Sequence, residues 1–247
     1  MIKTEIDGKV ALITLAREEK HNALNLPMIE AINSFLHSLK GNKNIRALII
    51  KANGKNFCAG ADIEWLLDGS ALNKIDNIND AKKLSDMFAN IASLPFITIS
   101  YINGAAIGGG FGLAATTDIK IAATDASFST PETKIGMVPA IIAKYIVETI
   151  GISEARYMFL TGKKITAQEA LQKNIVNEVI PKSDFEQHKE ALLKSILKTC
   201  PIAVKLTKSM LSSWPLETKS DYEIMAEARQ SVTTRDRLAQ TLKRNGD

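Results

Sequence analysis

The chain has 247 residues, 45% hydrophobic and 23% charged, which excludes a disordered or fibrous protein and allows one large α/β domain, or a domain of about 180 residues with a helical extension. The net charge of +4 comes without a basic run or interleaved aromatics, so no nucleic-acid partner is expected. The amino terminus MIKTEIDGKV has no apolar signal core, no apolar stretch approaches the roughly 20 residues that cross a bilayer, and Cys58 and Cys200 lie far apart; a cytoplasmic setting with free thiols and no membrane partner is the expectation.

Lys3 to Ala16 reads as two strand-like runs around Asp7-Gly8, a pair suited to a type I′ turn, and predicts an opening hairpin. PMIEAINSFLHSLK then spaces Met28, Ile32, Phe35, Leu36 and Leu39 at helical intervals, with Pro27 where a first turn tolerates it and Gly41 as the stop. IRALIIKA, Ile45 to Ala52, is a continuous apolar run of strand length, the pattern of a strand covered on both faces. The loop NGKNFCAGAD leads into IEWLL, and a helix is expected from about Asn77 to Ser93, with Leu84, Met87, Phe88 and Ile91 on one face. PFITISYI reads as another buried strand, and DIKIAA and ASFS as short ones. From Ile141 onward the pattern is nearly all helical apart from IVNEVI, Ile175 to Ile180. It ends in helix-like stretches at about Asp184–Lys198, Ile202–Ser213 and Lys219–Lys243, which pack either on a neighbouring subunit or on their own domain. Alternating strands and helices with long crossovers imply an α/β fold with mainly parallel pairing.

Several chemistries lack their residues. There is no G-x-S-x-G elbow and no Walker A motif, and His21, His37 and His188 are isolated, so no metal site is expected. Cys58 reads as a small buried thiol rather than a nucleophile. Gly110 to Ala115 fits G-x-G-x-x-A with Glu132 about twenty residues on, a superficial dinucleotide fingerprint for a nicotinamide-dependent oxidoreductase. That motif should begin at the end of its strand, whereas Asn103 to Gly109 intervene after PFITISYI.

The triplet Gly108 to Gly110 needs a reason, since each glycine inside an element costs roughly 0.5–1 kcal/mol relative to alanine. A glycine-rich turn at a helix start supplies open N–H groups and the positive end of a helix dipole. Ala59-Gly60-Ala61, ahead of IEWLL, repeats the arrangement, and two such turns facing each other could aim one N–H each at a single carbonyl oxygen. Thr130-Pro131-Glu132 reads as the cap, first and second positions of a short helix, where Glu132 would complement the dipole.

FCAGAD, then NGAAIGGGFGLAATTDIKIAA, then FSTPETKIGMVP, together with NALN at Asn22–Asn25, resemble the enoyl-CoA hydratase/isomerase, or crotonase, superfamily over roughly Lys3 to Pro181. The resemblance implies a spiral of ββα units over residues 1–182 carrying an acyl-CoA site, and a helical C-terminal region, 183–247, that forms homotrimers or homohexamers. It implies that the Ala61 and Gly109 N–H groups form an oxyanion hole for an acyl-CoA thioester and that Glu132 is the proton shuttle. Ala23, Ala59, Ala61, Asp62, Ile63, Glu64, Gly109 and Gly112 would line the acyl-CoA site, with Lys20 a candidate for the phosphates because Glu64 stands where lysine is common. No cofactor is implied beyond the coenzyme A of the substrate.

Hydratases of the family carry a second glutamate two residues after the triplet, where this chain has Gly112. That favours a Δ3,Δ2-enoyl-CoA isomerase using one glutamate, or a non-catalytic acyl-CoA-binding homologue. ADIEWLL, Gly112 and IIAKYIVETIG are similar to a bacterial methylglutaconyl-CoA hydratase-like subgroup of leucine degradation, which favours a hydratase of a short or branched 2-enoyl-CoA. Restoring a glutamate at 112 should raise hydration if the pocket has room for it.

Overall fold

The computed structural model describes residues 1–212, 221–234, 236, 237 and 240. Strands β1 (Ile2–Asp7) and β2 (Val10–Leu15) form the expected hairpin, antiparallel, with Gly8 at φ 55° in its turn. Helix α1 (Leu26–Leu39) follows, capped by Asn25 Oδ1, which accepts from the Met28 N–H at 3.2 Å. Then come β3 (Ala47–Ala52), α2 (Ile63–Ser70), α3 (Lys74–Ala92) and β4 (Ile97–Ile102). Short elements follow: β5 (Ala105–Ile107), α4 (Gly109–Ala115), β6 (Ile119–Ala123) and β7 (Ser127–Ser129). The remainder is α5 (Ala140–Thr161), broken at Gly151 by φ 74°, then β8 (Ile165–Thr166), α6 (Ala167–Gln172), β9 (Glu178–Ile180), α7 (Phe185–Ile196), α8 (Pro201–Ser212) and α9 (Asp221–Gln230).

The larger sheet has the order β1-β2-β3-β4-β6-β9, parallel except for the hairpin; the smaller has the order β5-β7-β8, with only β7–β8 antiparallel. The apolar run of β3 is explained by its two faces. Leu48 and Ile50 join the main core with α1 and α3, while Ala47 and Ile49 point into a second cluster that includes Ile196 and is packed by Phe185, Leu192 and Leu193 of α7. The first of the tail helices therefore packs on its own sheet.

Three expectations need correction. The strand read at Ile175–Ile180 is confined to Glu178–Ile180. β8 interrupts the helical C-terminal half, and β5 forms a strand where the sequence predicts no element. Two or three residues give too short a period to register as a strand; partners far along the chain make them one. The stretch read as Lys219–Lys243 lies partly outside the described residues, at both its start and its end.

Candidate active site

The short strand β5 assembles the site. On one side of it runs Cys58, whose N–H donates to the Ala105 carbonyl at 3.0 Å and whose carbonyl accepts from the Ile107 N–H at 2.9 Å. On the other side runs β7, and the Gly108 N–H donates to the Ser129 carbonyl at 2.8 Å. The turn after Cys58, the start of α4 and the turn after β7 thus meet at one end of the small sheet. Leu24 secures the first of these turns: its N–H donates to the Gly60 carbonyl at 2.7 Å, and its carbonyl accepts from the Asp62 N–H at 2.9 Å. Because backbone groups alternate in direction along extended chain, these bonds leave the Ala61 N–H facing away from Leu24. Gly109 is the first residue of α4, where an N–H has no acceptor within the helix. Among the described residues no hydrogen bond takes up either N–H.

Close approach explains the glycines. A Cβ on Gly110 would stand 2.2 Å from the Cys58 carbonyl oxygen, and one on Gly109 would stand 3.6 Å from the Ala61 nitrogen. Gly108 has φ +51°, and a Cβ there would meet Glu132 Oε1 at 2.6 Å. The triplet lets α4 begin against the Cys58 turn and the Glu132 carboxyl together.

Glu132 opens a 3-10 turn, Glu132–Ile135. Pro131 holds the cap position, so Thr130 lies one residue too early to be the expected cap, and its buried hydroxyl has no partner among the described residues. The Glu132 Oε2 atom is likewise buried without a hydrogen-bond partner there, and burial pushes this carboxyl above the ordinary carboxylate range. A carboxyl in that state is poised to exchange protons.

A cavity of about 400 Å³ opens in front of these groups. Of the residues expected from sequence, Ala59, Ala61, Ile63, Gly109 and Glu132 line it, and Trp65, Leu84 and Ile142 give it apolar walls. The other expected residues lie elsewhere. Ala23 is buried, with its carbonyl accepting from the Arg17 guanidinium at 3.0 Å. Asp62 caps α2 by accepting from the Glu64 N–H at 2.9 Å and pairs with Arg17. Burial raises the Asp62 carboxyl, but the Arg17 hydrogen bond, the Glu64 N–H and nearby positive charge outweigh it and hold the group below its usual range. Glu64 is exposed and takes the Lys20 ammonium at 2.9 Å, so the lysine considered for phosphate contact is turned to a carboxylate of its own chain.

Gly112 does not line the cavity. It is buried inside α4, and a Cβ there would stand 2.2 Å from Ile142 Cγ2. The place of a second acid is closed by α5, and the condition set for restoring one, room for the side chain, is not met. Gly112→Glu is therefore expected to lose stability and gain no hydration; Gly112→Ala alone should cost about 1–3 kcal/mol from overpacking, a fall of several degrees in Tm. A folded Gly112→Glu protein with the parental Tm and faster hydration would contradict this.

The same packing disposes of the dinucleotide reading. Gly110 to Ala114 are buried within α4, Gly110 lies against Cys58, and the Glu132 carboxyl stands at the helix start, where it would repel a pyrophosphate. Cys58 is fully buried, and its thiol is pushed up to about 12, mainly by burial, so it is inert as a nucleophile. Arg17 and Ile142 were invisible from sequence, because Arg17 meets Asp62 across 45 residues and Ile142 is one apolar residue in a helical run.

A profile of the enoyl-CoA hydratase/isomerase family matches residues 5–241. The chain belongs to that family. The short-chain-enoyl-CoA hydratase of Clostridium acetobutylicum is 30% identical over 210 residues, covering 84% of this chain and 79% of its own. Two solved structures superpose closely: an enoyl-CoA hydratase from Shewanella pealeana, with a TM-score of 0.92 at 31% identity over 98% of this chain and 93% of that one, and Pseudomonas aeruginosa AtuE, with 0.93 at 28% over 98% and 96%. The α/β crotonase fold with a helical C-terminal region is thereby established. Identities near 30% reach the enoyl-CoA hydratase/isomerase family as a whole and do not single out the methylglutaconyl-CoA subgroup.

Proposed function

We propose that this chain is an enoyl-CoA hydratase that adds water to a short or branched 2-enoyl-CoA through a thioester enolate. The observation that carries the reading is the sharing of one cavity by the unpartnered Ala61 and Gly109 N–H groups and the buried Glu132 carboxyl. The thioester oxygen sits between the two N–H groups, whose hydrogen bonds strengthen as negative charge gathers on it. Ionised Glu132 takes a proton from water while the water oxygen bonds to Cβ, and the resulting carboxylic acid returns that proton to Cα. One carboxylate serves both halves of the addition. Atoms and electrons balance without redox, so no cofactor enters beyond the coenzyme A of the substrate.

A second reading, a Δ3,Δ2-enoyl-CoA isomerase, is favoured by the closure of position 112 against Ile142, since moving a double bond needs only one carboxylate to remove and return a proton. The two readings separate in one spectrophotometric assay. Loss of 2-enoyl absorbance from crotonyl-CoA is expected; gain of 2-enoyl absorbance from 3-hexenoyl-CoA, without hydration of crotonyl-CoA, would make the isomerase the function. Tight CoA-ester binding with neither change would identify a non-catalytic homologue.

Residues 183–247 are proposed to build a homotrimer or homohexamer. In support, no residue of α8 is fully buried, and Leu211, Met225 and Val232 are exposed. Among the described residues no helix is long and apolar enough to cross a membrane and no His, Cys, Asp or Glu cluster is placed to hold a metal ion; the proposed setting is cytoplasmic.

A further inference from the structure

The walls of the cavity carry charge of one sign only. Among the described residues its charged lining groups are Glu132 and Asp80, and no lysine, arginine or histidine joins them. Asp80 lies on α3 and faces the last turn of α2, where a Cβ on Gly69 would stand 3.9 Å from its Oδ2. Gly69 is six residues along α2 from Ile63, about 9 Å of helix, so Asp80 overlooks the end of α2 away from the Ala61 turn. With the cavity read as the acyl site, a carbonyl seated at the two N–H groups leaves the Asp80 wall to the rest of the acyl chain. Asp80 forms no ion pair among the described residues; Lys83, one turn further along α3, gives its ammonium to Glu30 at 2.8 Å and feels the Asp80 charge only as a weaker, longer-range attraction. The apolar surface of Trp65 and Leu84 belongs to the same walls.

We propose that Asp80 is a specificity-determining residue that restricts this enzyme to acyl groups without a terminal carboxylate. This rests on the reading of the cavity as the acyl site. A dicarboxylic half-thioester, the chemistry of methylglutaconyl-CoA, would bring a second anion to a partly desolvated wall that offers no cation to meet it, and like charges there repel. An uncharged chain finds apolar surface instead.

The test measures binding of two saturated, unreactive esters, pentanoyl-CoA and glutaryl-CoA, by quenching of tryptophan emission, with Trp65 in the cavity wall as reporter. The native protein is expected to bind pentanoyl-CoA at least about tenfold more tightly. Asp80→Asn should narrow that ratio, and Asp80→Lys should reverse it. Equal affinities in the native protein, or a ratio that neither substitution moves, would overturn the role of Asp80 and leave the hydratase reading standing. Failure of the native protein to bind either ester would overturn the acyl-site reading and the role of Asp80 with it.

Discussion

Glu132→Gln is expected to lower kcat by about 10²–10⁴, the range that a positioned general acid–base contributes. The amide keeps the size of the side chain and its place beside Gly108 but neither takes nor gives the proton that hydration moves between water and Cα. Burial raises the native carboxyl, so its base form fills only as pH climbs past the ordinary carboxylate range, and kcat/KM of the native enzyme should rise over that same span. The substitution should also stabilise. A raised folded-state pKa means that the favourable contribution of the buried acid is fully present below the unfolded value and is lost as pH rises through the folded one. The uncharged amide suffers no such loss, so the variant and parent should melt together in acid, with the variant higher near neutral pH. Crotonyl-CoA kinetics and thermal melts across pH check both halves, and equal rates in the two proteins would remove Glu132 from the chemistry.

Ala61→Pro is the companion experiment, and a fall in kcat of about 10²–10³ is expected, the cost of one lost oxyanion donor. Proline removes the N–H at 61, while the Leu24–Gly60 and Leu24–Asp62 hydrogen bonds that hold the turn use other groups. Ala61→Gly keeps the N–H and should stay close to the parent. Affinity for saturated pentanoyl-CoA should fall far less than kcat, because the donor matters most when the thioester oxygen carries negative charge. A proline variant with the parental Tm and parental kcat would show that this N–H plays no part.

Much of this protein is legible in its sequence. The DG hairpin, the amphipathic α1 and α3 and the two-faced apolar run of β3 declare themselves by local period, because each buries a stripe or a face that recurs along the chain. The candidate site was legible only through the ordered motifs FCAGAD, AAIGGG and TPE. What escaped was non-local. β5 has three residues and no period of its own, yet it places Cys58 on one edge and β7 on the other. Asp62, expected among the substrate contacts, is occupied with Arg17, because a buried carboxylate needs a counter-charge and the fold supplies one from 45 residues away.

By itself, then, the amino-acid order determined the alternation of strands and helices, the glycines at the two turns and the presence of one acid after the proline. Only the tertiary structure decided that Gly110 lies against the Cys58 carbonyl, that Ile142 fills the space at Gly112, and that Asp80 overlooks the cavity holding Glu132. Periodicity records which way a side chain faces along its own element. It carries no record of which distant atoms occupy the far side of that face, and the chemistry of this cavity depends on those atoms.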